Sequence, residues 1–292
     1  MAYKNRFTIS LHTPISWVLG KDFGQFFDSQ FHGTLQVTGY ESIAIKEASM
    51  SGQNLTGKIV IIAGASSGMG RATALAAAEA GAQVVVAARN AEALESLDTQ
   101  IRAKGGNALV VPTDTTNANA AQQLVDAAVE HFGRVDILIN SVGINIPRRT
   151  IAELTAESWG MMMEVNLTSA FHLTQAIIPV FRRQQDGLLI HITSGAAKRA
   201  DRSGIAYQAT KAGVSSLAHG VMEEEKENGV RVTVIYPGMT ETPLVYQRPT
   251  PPTPELLAKA LQPEDVAAAC LFVMGLPTRA YVPELVVYPS RL

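Results

Sequence analysis

From Gly57 onward the apolar positions come in short, almost unbroken runs, each followed by a longer stretch that reads as helix. The runs are IVIIA (59–63), VVVAA (84–88), ALVV (108–111), DILIN (136–140), LLIHIT (188–193), VRVTVIY (230–236) and ELVVY (284–288). Several are apolar nearly throughout, which predicts strands covered on both faces rather than strands with one wet side. The helical stretches are 68–80, 91–104, 118–132, 156–183 in two pieces, 207–227 and 263–274. Alternation of this length requires right-handed crossovers. It predicts an α/β fold: one doubly wound parallel sheet of about seven strands with helices on both faces.

Two segments break the alternation. PLVYQRPTPPTP (243–254) holds five prolines in twelve residues, which argues against a helix or an inner strand and predicts a semi-rigid loop after the sixth strand. The first 54 residues form the other. Phe23, Phe26, Phe27 and Phe31 recur at helical spacing there, and TLQVTGYESIAI (34–45) reads as strand. The expected organisation is an aromatic-rich arm over 1–54 and one α/β domain over 55–292. Two readings of the arm stay open: a segment that docks on the body or on a neighbouring subunit, and a disordered leader.

Composition narrows the partners. With 47% hydrophobic and 17% charged residues the chain can bury a sizeable core. A net charge of −2 without a run of lysine or arginine argues against nucleic acid or an anionic membrane as partner. No apolar stretch approaches the ~20 residues of a bilayer span. His12 and Pro14 interrupt what would have to be a secretory apolar region. Cys270 is the single cysteine, so neither a disulfide nor a cysteine metal site can be built from this chain alone. The expectation is a cytoplasmic protein with no resident metal.

The first stretch that carries chemistry is AGASSGMG (63–70), directly after the first strand and opening the first helix. Gly64 permits a tight exit from the strand, Gly68 a close backbone approach, and Gly70 close packing of helix on sheet. A helix N-terminus behind such a turn offers free N–H groups to a phosphate, which points to a dinucleotide. A second stretch is YQATK (207–211), where Tyr207 and Lys211 stand one helical turn apart on one face. Alone, that pair is equally an aromatic ring beside an alkyl stem.

The G-x3-G-x-G spacing resembles the short-chain dehydrogenase/reductase family, whose signature is TGxxxGxG, with Ala63 in place of the threonine. Further landmarks follow in order over about residues 55–292. Asp114 stands in PTDTT. NSVG (140–143) is similar to the family's NNAG, matching at Asn140 and Gly143 and departing at Ser141 and Val142. Asn166 lies in EVNLTSAF and Ser194 in HITSG. Tyr207 and Lys211 form YxxxK. Pro237, Gly238 and Thr242 match PG-x-x-x-T.

The resemblance implies a Rossmann-type sheet and hydride transfer between a nicotinamide cofactor and a carbonyl or alcohol. Tyr207 would be the general acid/base, and Lys211 would lower its pKa and hold the nicotinamide ribose. Ser194 would donate to the substrate oxygen, and Asn166 would hold a relay water. The implied cofactor set is Gly64, Ser66, Ser67, Gly68, Met69, Gly70, Arg89, Asp114, Thr115, Asn140, Gly143, Tyr207, Lys211, Pro237, Gly238, Thr240 and Thr242. At the end of the second strand stand Ala88 and Arg89. No carboxylate is present there for a ribose 2′-hydroxyl, and a guanidinium suits a 2′-phosphate, so NADP(H) is expected over NAD(H).

The expected substrate is a small ketone or aldehyde, 3-oxoacyl groups included, or the matching alcohol. Its pocket would draw on Ile144–Asn145, 195–204 and the loop after Gly238. Arg148, Arg149, Lys198, Arg199, Arg202, Met239, Tyr246 and Arg248 lie in or beside these segments. That basic excess reads either as solvated surface or as a place for an anionic substrate. His191 and His172 read as structural. The helices near 156–183 and 207–227 would pair copies into a homodimer or homotetramer. The alternative function is a non-catalytic NADP(H)-binding sensor or assembly protein, and the intact Ser, Tyr and Lys set argues against it.

Overall fold

The computed structural model describes residues 54–291 and, ahead of them, the backbone of two short antiparallel strands, Gly33–Leu35 and Ile43–Ile45. Those strands fall at the two ends of the segment read as strand-like. The phenylalanine stripe lies outside the described residues.

In the body the elements alternate as β1 (Ile59–Ala63), α1 (Gly68–Glu79), β2 (Gln83–Ala88), α2 (Ala91–Ala103), β3 (Asn107–Pro112), α3 (Ala118–Phe132) and β4 (Ile137–Asn140). They continue as α4 (Ala156–Met163), α5 (Ser169–Gln184), β5 (Gly187–Ile192), α6 (Ile205–Glu225), β6 (Val230–Pro237), α7 (Pro254–Leu257), α8 (Pro263–Met274) and β7 (Glu284–Val287). The strands form one parallel sheet in the order β3-β2-β1-β4-β5-β6-β7.

Every residue of β1 is buried, and its neighbours alternate between two cores. Val60 and Ile62 face one layer with Leu94, Leu97 and Val266. Ile61 and Ala63 face the other with Leu124, Leu173 and Phe181. Both faces are therefore dry, which is why the sequence shows continuous apolar runs. The chain winds outward from β1 in both directions, so β1 and β4 are adjacent although α1, α2 and α3 intervene. Ala63 sits opposite Asn140 at their C-terminal ends. The crevice at such a reversal is where open α/β sheets bind ligands.

Two details differ from the sequence reading. The proline-rich run is not all loop: a 3₁₀ turn forms at Pro243–Gln247, and α7 starts at Pro254. Both begin on proline, where the missing N–H would have had no intrahelical partner anyway. The 156–183 stretch does divide, but through a single π-helical turn, Glu164–Thr168, rather than a break.

Candidate active site

The glycine turn leaves β1 with Gly64 at φ +85°, a left-handed conformation. A Cβ on Gly64 would lie 2.7 Å from the Ser141 carbonyl carbon, and one on Gly70 only 2.3 Å from the Gly64 oxygen. The turn is thus closed on itself and on the end of β4, with no room for side chains. Ser67 caps α1 without a side-chain hydrogen bond, whereas Asn90 and Asn117 accept from Ala93 N and Ala120 N at the starts of α2 and α3. The first N–H groups of α1 are left for an external acceptor.

This turn forms one wall of a cleft of about 290 Å³. Of the expected cofactor residues, Gly64, Ser66, Ser67, Gly68, Met69, Arg89, Asp114, Thr115, Gly143 and Thr242 line it. Ala88 lines it too, as do Asn90, Thr113, Val165 and Leu244, which nothing in the motifs singled out. Gly70 and Asn140 do not line it. Asn140 is buried beneath it, its Oδ1 accepting from Val142 N at 3.0 Å. Arg89 is exposed at the rim and acts electrostatically on Asp114. Burial pushes the Asp114 carboxyl up. Hydrogen bonds from the Thr116 hydroxyl and N–H, with the Arg89 charge, outweigh this and hold it below the ordinary value. Arg71, which would otherwise be solvated, donates to Ala93 O at 3.1 Å and Ser96 Oγ at 3.4 Å and so ties α1 to α2. A cleft lined by a closely packed glycine turn, the uncapped N-terminus of α1 and a guanidinium suits a dinucleotide.

A second cavity of about 560 Å³ adjoins the first, sharing Met69, Thr242 and Leu244 as lining. Ser194, Tyr207, Pro237, Gly238 and Thr240 line it. Ser194 follows β5, and its Oγ accepts from Ala196 N at 3.2 Å, while its hydroxyl lowers the pKa of the Tyr207 phenol beside it in the cavity. Tyr207 lies in the first turn of α6, and Lys211 one turn on. The Lys211 ammonium is buried behind the ring, 5.9 Å from its centroid. It donates to the carbonyls of Val142 at 3.2 Å and Ile192 at 3.5 Å. A Cβ on Gly143 would come within 2.8 Å of that Nζ, so the glycine makes room for the charge.

The π-turn aims Asn166 inward, where it is fully buried. Its Oδ1 accepts from Ile144 N at 2.7 Å, and its Nδ2 donates to Ile144 O at 3.0 Å and to Thr210 Oγ1 at 3.2 Å. One side chain therefore fixes the segment after β4 to α6. π-Turns of this kind recur at functional sites because they re-aim one residue out of helical register.

Electrostatics here depart from the sequence expectation in one respect. Tyr207 is pushed above its ordinary value, because burial outweighs the opposing influence of the Ser194 hydroxyl. The cations that act against this are Arg248 and Arg149 rather than Lys211. Burial lowers Lys211 to about 8. His191 is held neutral, at about 3, by burial and then by the Lys211 charge. Its Nδ1 meets Asn140 Nδ2 at 3.1 Å, and its Nε2 has no partner among the described residues, so it is a structural histidine with only one end satisfied. His172 Nδ1 lies 3.2 Å from Thr115 O and fastens the loop after β3.

Of the basic residues expected near the substrate, Arg149, Arg199 and Arg248 line the second cavity, as does Met239. Arg148, Lys198, Arg202 and Tyr246 do not. Lys198 pairs with Glu284 at 2.5 Å, and Tyr246 donates to Glu241 at 2.7 Å. Tyr288 and Pro289 line the cavity without having been expected. They follow β7 and pack over Gly195 and Gly238, a juxtaposition with no local signal. Cys270 is buried, its thiol pushed up to about 12, and takes no part. Among the described residues no cluster could hold a metal ion, and no helix is long and apolar enough to cross a membrane.

A nucleotide-shaped cleft at the sheet's switch point, joined to a Ser–Tyr–Lys cavity, defines an α/β oxidoreductase of the dinucleotide-dependent class. A family model described as short chain dehydrogenase matches residues 58–251, and the chain belongs to that family. It is 36% identical over 236 residues to an uncharacterized oxidoreductase of Staphylococcus aureus (strain USA300), covering 80% of this chain and 98% of the relative. Among solved structures it is similar to 7α-hydroxysteroid dehydrogenase complexed with NADH and 7-oxo glycochenodeoxycholic acid. That likeness has 30% identity and a TM-score of 0.74, over 83% of this chain and 97% of the other. It is also similar to an alcohol dehydrogenase from the archaeon Thermococcus sibiricus complexed with 5-hydroxy-NADP, with 27% identity and a TM-score of 0.73, over 80% and 97%.

Proposed function

We propose that this oxidoreductase is an NADP(H)-dependent enzyme that interconverts a carbonyl compound and an alcohol, with Tyr207 as its general acid/base. The observation that carries the reading is that Ser194 and Tyr207 line one cavity, which shares Met69, Thr242 and Leu244 with the dinucleotide cleft, with the Lys211 ammonium behind the ring. The bound dinucleotide supplies or accepts the hydride. In the reducing direction Ser194 donates to the carbonyl oxygen and stabilises the charge that develops on it. Tyr207 gives its phenolic proton to the same oxygen, and in oxidation it takes that proton back. Lys211, at about 8, can release and regain a proton near neutral pH, and Asn166 would hold the water that links it to solvent.

For the cofactor, Gly64, Ser66, Ser67, Gly68 and Met69 would hold the phosphates and Asp114 and Thr115 the adenine side. Support for NADP(H) comes from Ala88, which offers no acceptor to a 2′-hydroxyl, and from Arg89 at the rim. Both cofactor types occur in relatives, NADH in the hydroxysteroid dehydrogenase and an NADP derivative in the archaeal enzyme.

The test is NADPH oxidation against a panel of ketones and aldehydes, with wild type and Tyr207→Phe. Removal of the transferable proton is expected to lower kcat by ~10²–10⁴-fold. NADPH binding, read by fluorescence, is expected to stay unchanged. A Tyr207→Phe enzyme with near-native kcat would remove Tyr207 from the mechanism. A homo-oligomer is also proposed, because Trp159, Met161, Phe171 and Ile205 on α4, α5 and α6 leave apolar surface exposed. Light scattering at micromolar concentration should give a dimer or tetramer, and a monomer mass would refute it.

A further inference from the structure

We propose that the substrate carries a carboxylate as well as its carbonyl, and that Arg149 and Arg248 hold this carboxylate in the cavity beside Tyr207. The inference rests on the reductase reading above and adds the substrate class.

Arg149 is only 6% exposed, yet among the described residues no carboxylate pairs with it. Its Nη1 and Nη2 donate to the neutral carbonyls of Ser203 at 3.4 Å and Gln247 at 3.0 Å, and its Nε has no partner among the described residues. Four other guanidinium groups do pair with acids, whereas Arg71 is held by neutral acceptors, Ala93 O and Ser96 Oγ. Arg102 pairs with Asp98, Arg134 with Asp136, Arg182 with Glu225, and Arg231 with Asp186. Burying a cation without a counter-ion is costly, and an anionic ligand that completes the pair recovers that cost on binding.

A second cation makes the same point. Arg248 also lines the cavity, and the contact its guanidinium makes is to Met239 Sδ at 3.8 Å, not to an acid. Arg149 and Arg248 line the same cavity, and burial first, then the Arg248 charge, pull the Arg149 pKa down. Asp201, the acid that acts on Arg149, also lines the cavity, but it is exposed and accepts from Ser203 N at 2.8 Å rather than pairing with either arginine. Two cations and no paired acid suit a bidentate carboxylate.

The position fits a substrate that also reaches the catalytic phenol. Arg149 packs against Gly204, whose absent Cβ would lie 2.7 Å from the Arg149 Cβ, and Gly204 caps the helix three residues before Tyr207. Both arginines act electrostatically on the Tyr207 phenol. One molecule can therefore present its carbonyl to Ser194 and Tyr207 and its carboxylate to the arginines.

The probes are 2-oxohexanoate, 4-oxohexanoate, 5-oxohexanoate and 4-acetylbenzoate, each with its methyl ester. Turnover is measured, and direct binding is measured by calorimetry with the protein saturated in reduced cofactor. For at least one pair the acid should be preferred about tenfold to a hundredfold, with the difference in KM and in Kd rather than in kcat. Arg248→Gln should remove most of that preference, read as the acid-to-ester ratio of Kd and KM within the variant, so that any common change through the Tyr207 phenol cancels. Arg149→Gln should do the same, and Arg149→Lys, which keeps the charge, should retain part of it. Arg248 is the safer variant, since Arg149 also ties two loops together. If no acid binds more tightly than its ester, or if both glutamine variants keep the preference, the proposal is overturned whether or not turnover is seen. Esters reduced as well as acids would leave the reductase reading standing and sink this one. Acids that bind through both arginines but are never reduced would keep the carboxylate site and sink the reductase reading.

Discussion

Replacing Lys211 with methionine is expected to abolish turnover and, at neutral pH, to make the protein more stable. The ammonium is 5% exposed, and its hydrogen-bond partners are two backbone carbonyls, at 3.2 and 3.5 Å. Burial takes its pKa from 10.5 to about 8. At ~1.4 kcal/mol per pKa unit, keeping the charge costs the folded state about 3 kcal/mol at pH 7. Methionine keeps most of the volume and removes that penalty, while the lost hydrogen bonds offset about 1–2 kcal/mol of the gain. The net expectation is a variant about 1–2 kcal/mol more stable than wild type. Its pH dependence identifies the cause. Below about 8 the lysine is charged in both folded and unfolded chains, so wild type carries the whole penalty. Between about 8 and 10.5 the folded protein has released the proton while the unfolded chain still holds it, so wild-type stability rises with pH relative to the variant. The advantage of Lys211→Met should therefore shrink over that window and then reverse. Urea unfolding at about pH 7, 8, 9 and 10, at fixed protein concentration and without cofactor, measures it. A variant less stable at pH 7, or a difference that stays flat with pH, refutes the reasoning.

His191→Asn should flatten the acid side of the stability profile. With a folded value of about 3 against 6.5, His191 makes wild type lose up to about 5 kcal/mol as pH falls through that range, and asparagine has no proton to take up. Acid titration followed by ellipticity checks this, and coincident acid midpoints would count against it. For the cofactor, wild type should favour NADPH over NADH at least tenfold in kcat/KM, since a charged hydrogen bond is worth roughly 1.5–3 kcal/mol. Arg89→Ala should erase most of that gap and Ala88→Asp added to it should reverse it; a ratio that does not move with Arg89→Ala refutes the NADP(H) assignment.

What the sequence determined by itself is what local spacing encodes. A strand buried on both faces has to be apolar throughout, so β1 and β6 announce themselves. The helix at 263–274 also falls where its pattern puts it. The glycine turn is legible because a left-handed exit and a Cβ-free helix start leave few other residues possible. Tyr207 and Lys211 share a face because four residues make about one helical turn. The order of the motifs was enough to nominate Asn166 and Ser194, but not to say what they touch.

Only the tertiary structure decided the rest, because burial and charge balance depend on segments far apart in the chain. Asn166 reaches Thr210 across 44 residues, and it does so through a π-turn that no periodicity signals. Lys211 is desolvated by burial while its ammonium donates to carbonyls at and just past the ends of two strands, and its charge reaches the His191 ring rather than setting the Tyr207 phenol. Asn140 and Gly70 do not line the cleft: the side taken by a strand-end side chain such as Asn140 is settled only when neighbouring strands are in place, and Gly70 lies inside α1 against the Gly64 carbonyl. Among many arginines near the site, sequence could not separate Arg149 from Arg148. One is nearly enclosed by Ser203, Gly204 and Gln247, and the other is exposed, because loops 54 and 98 residues further along the chain close over the first and not the second.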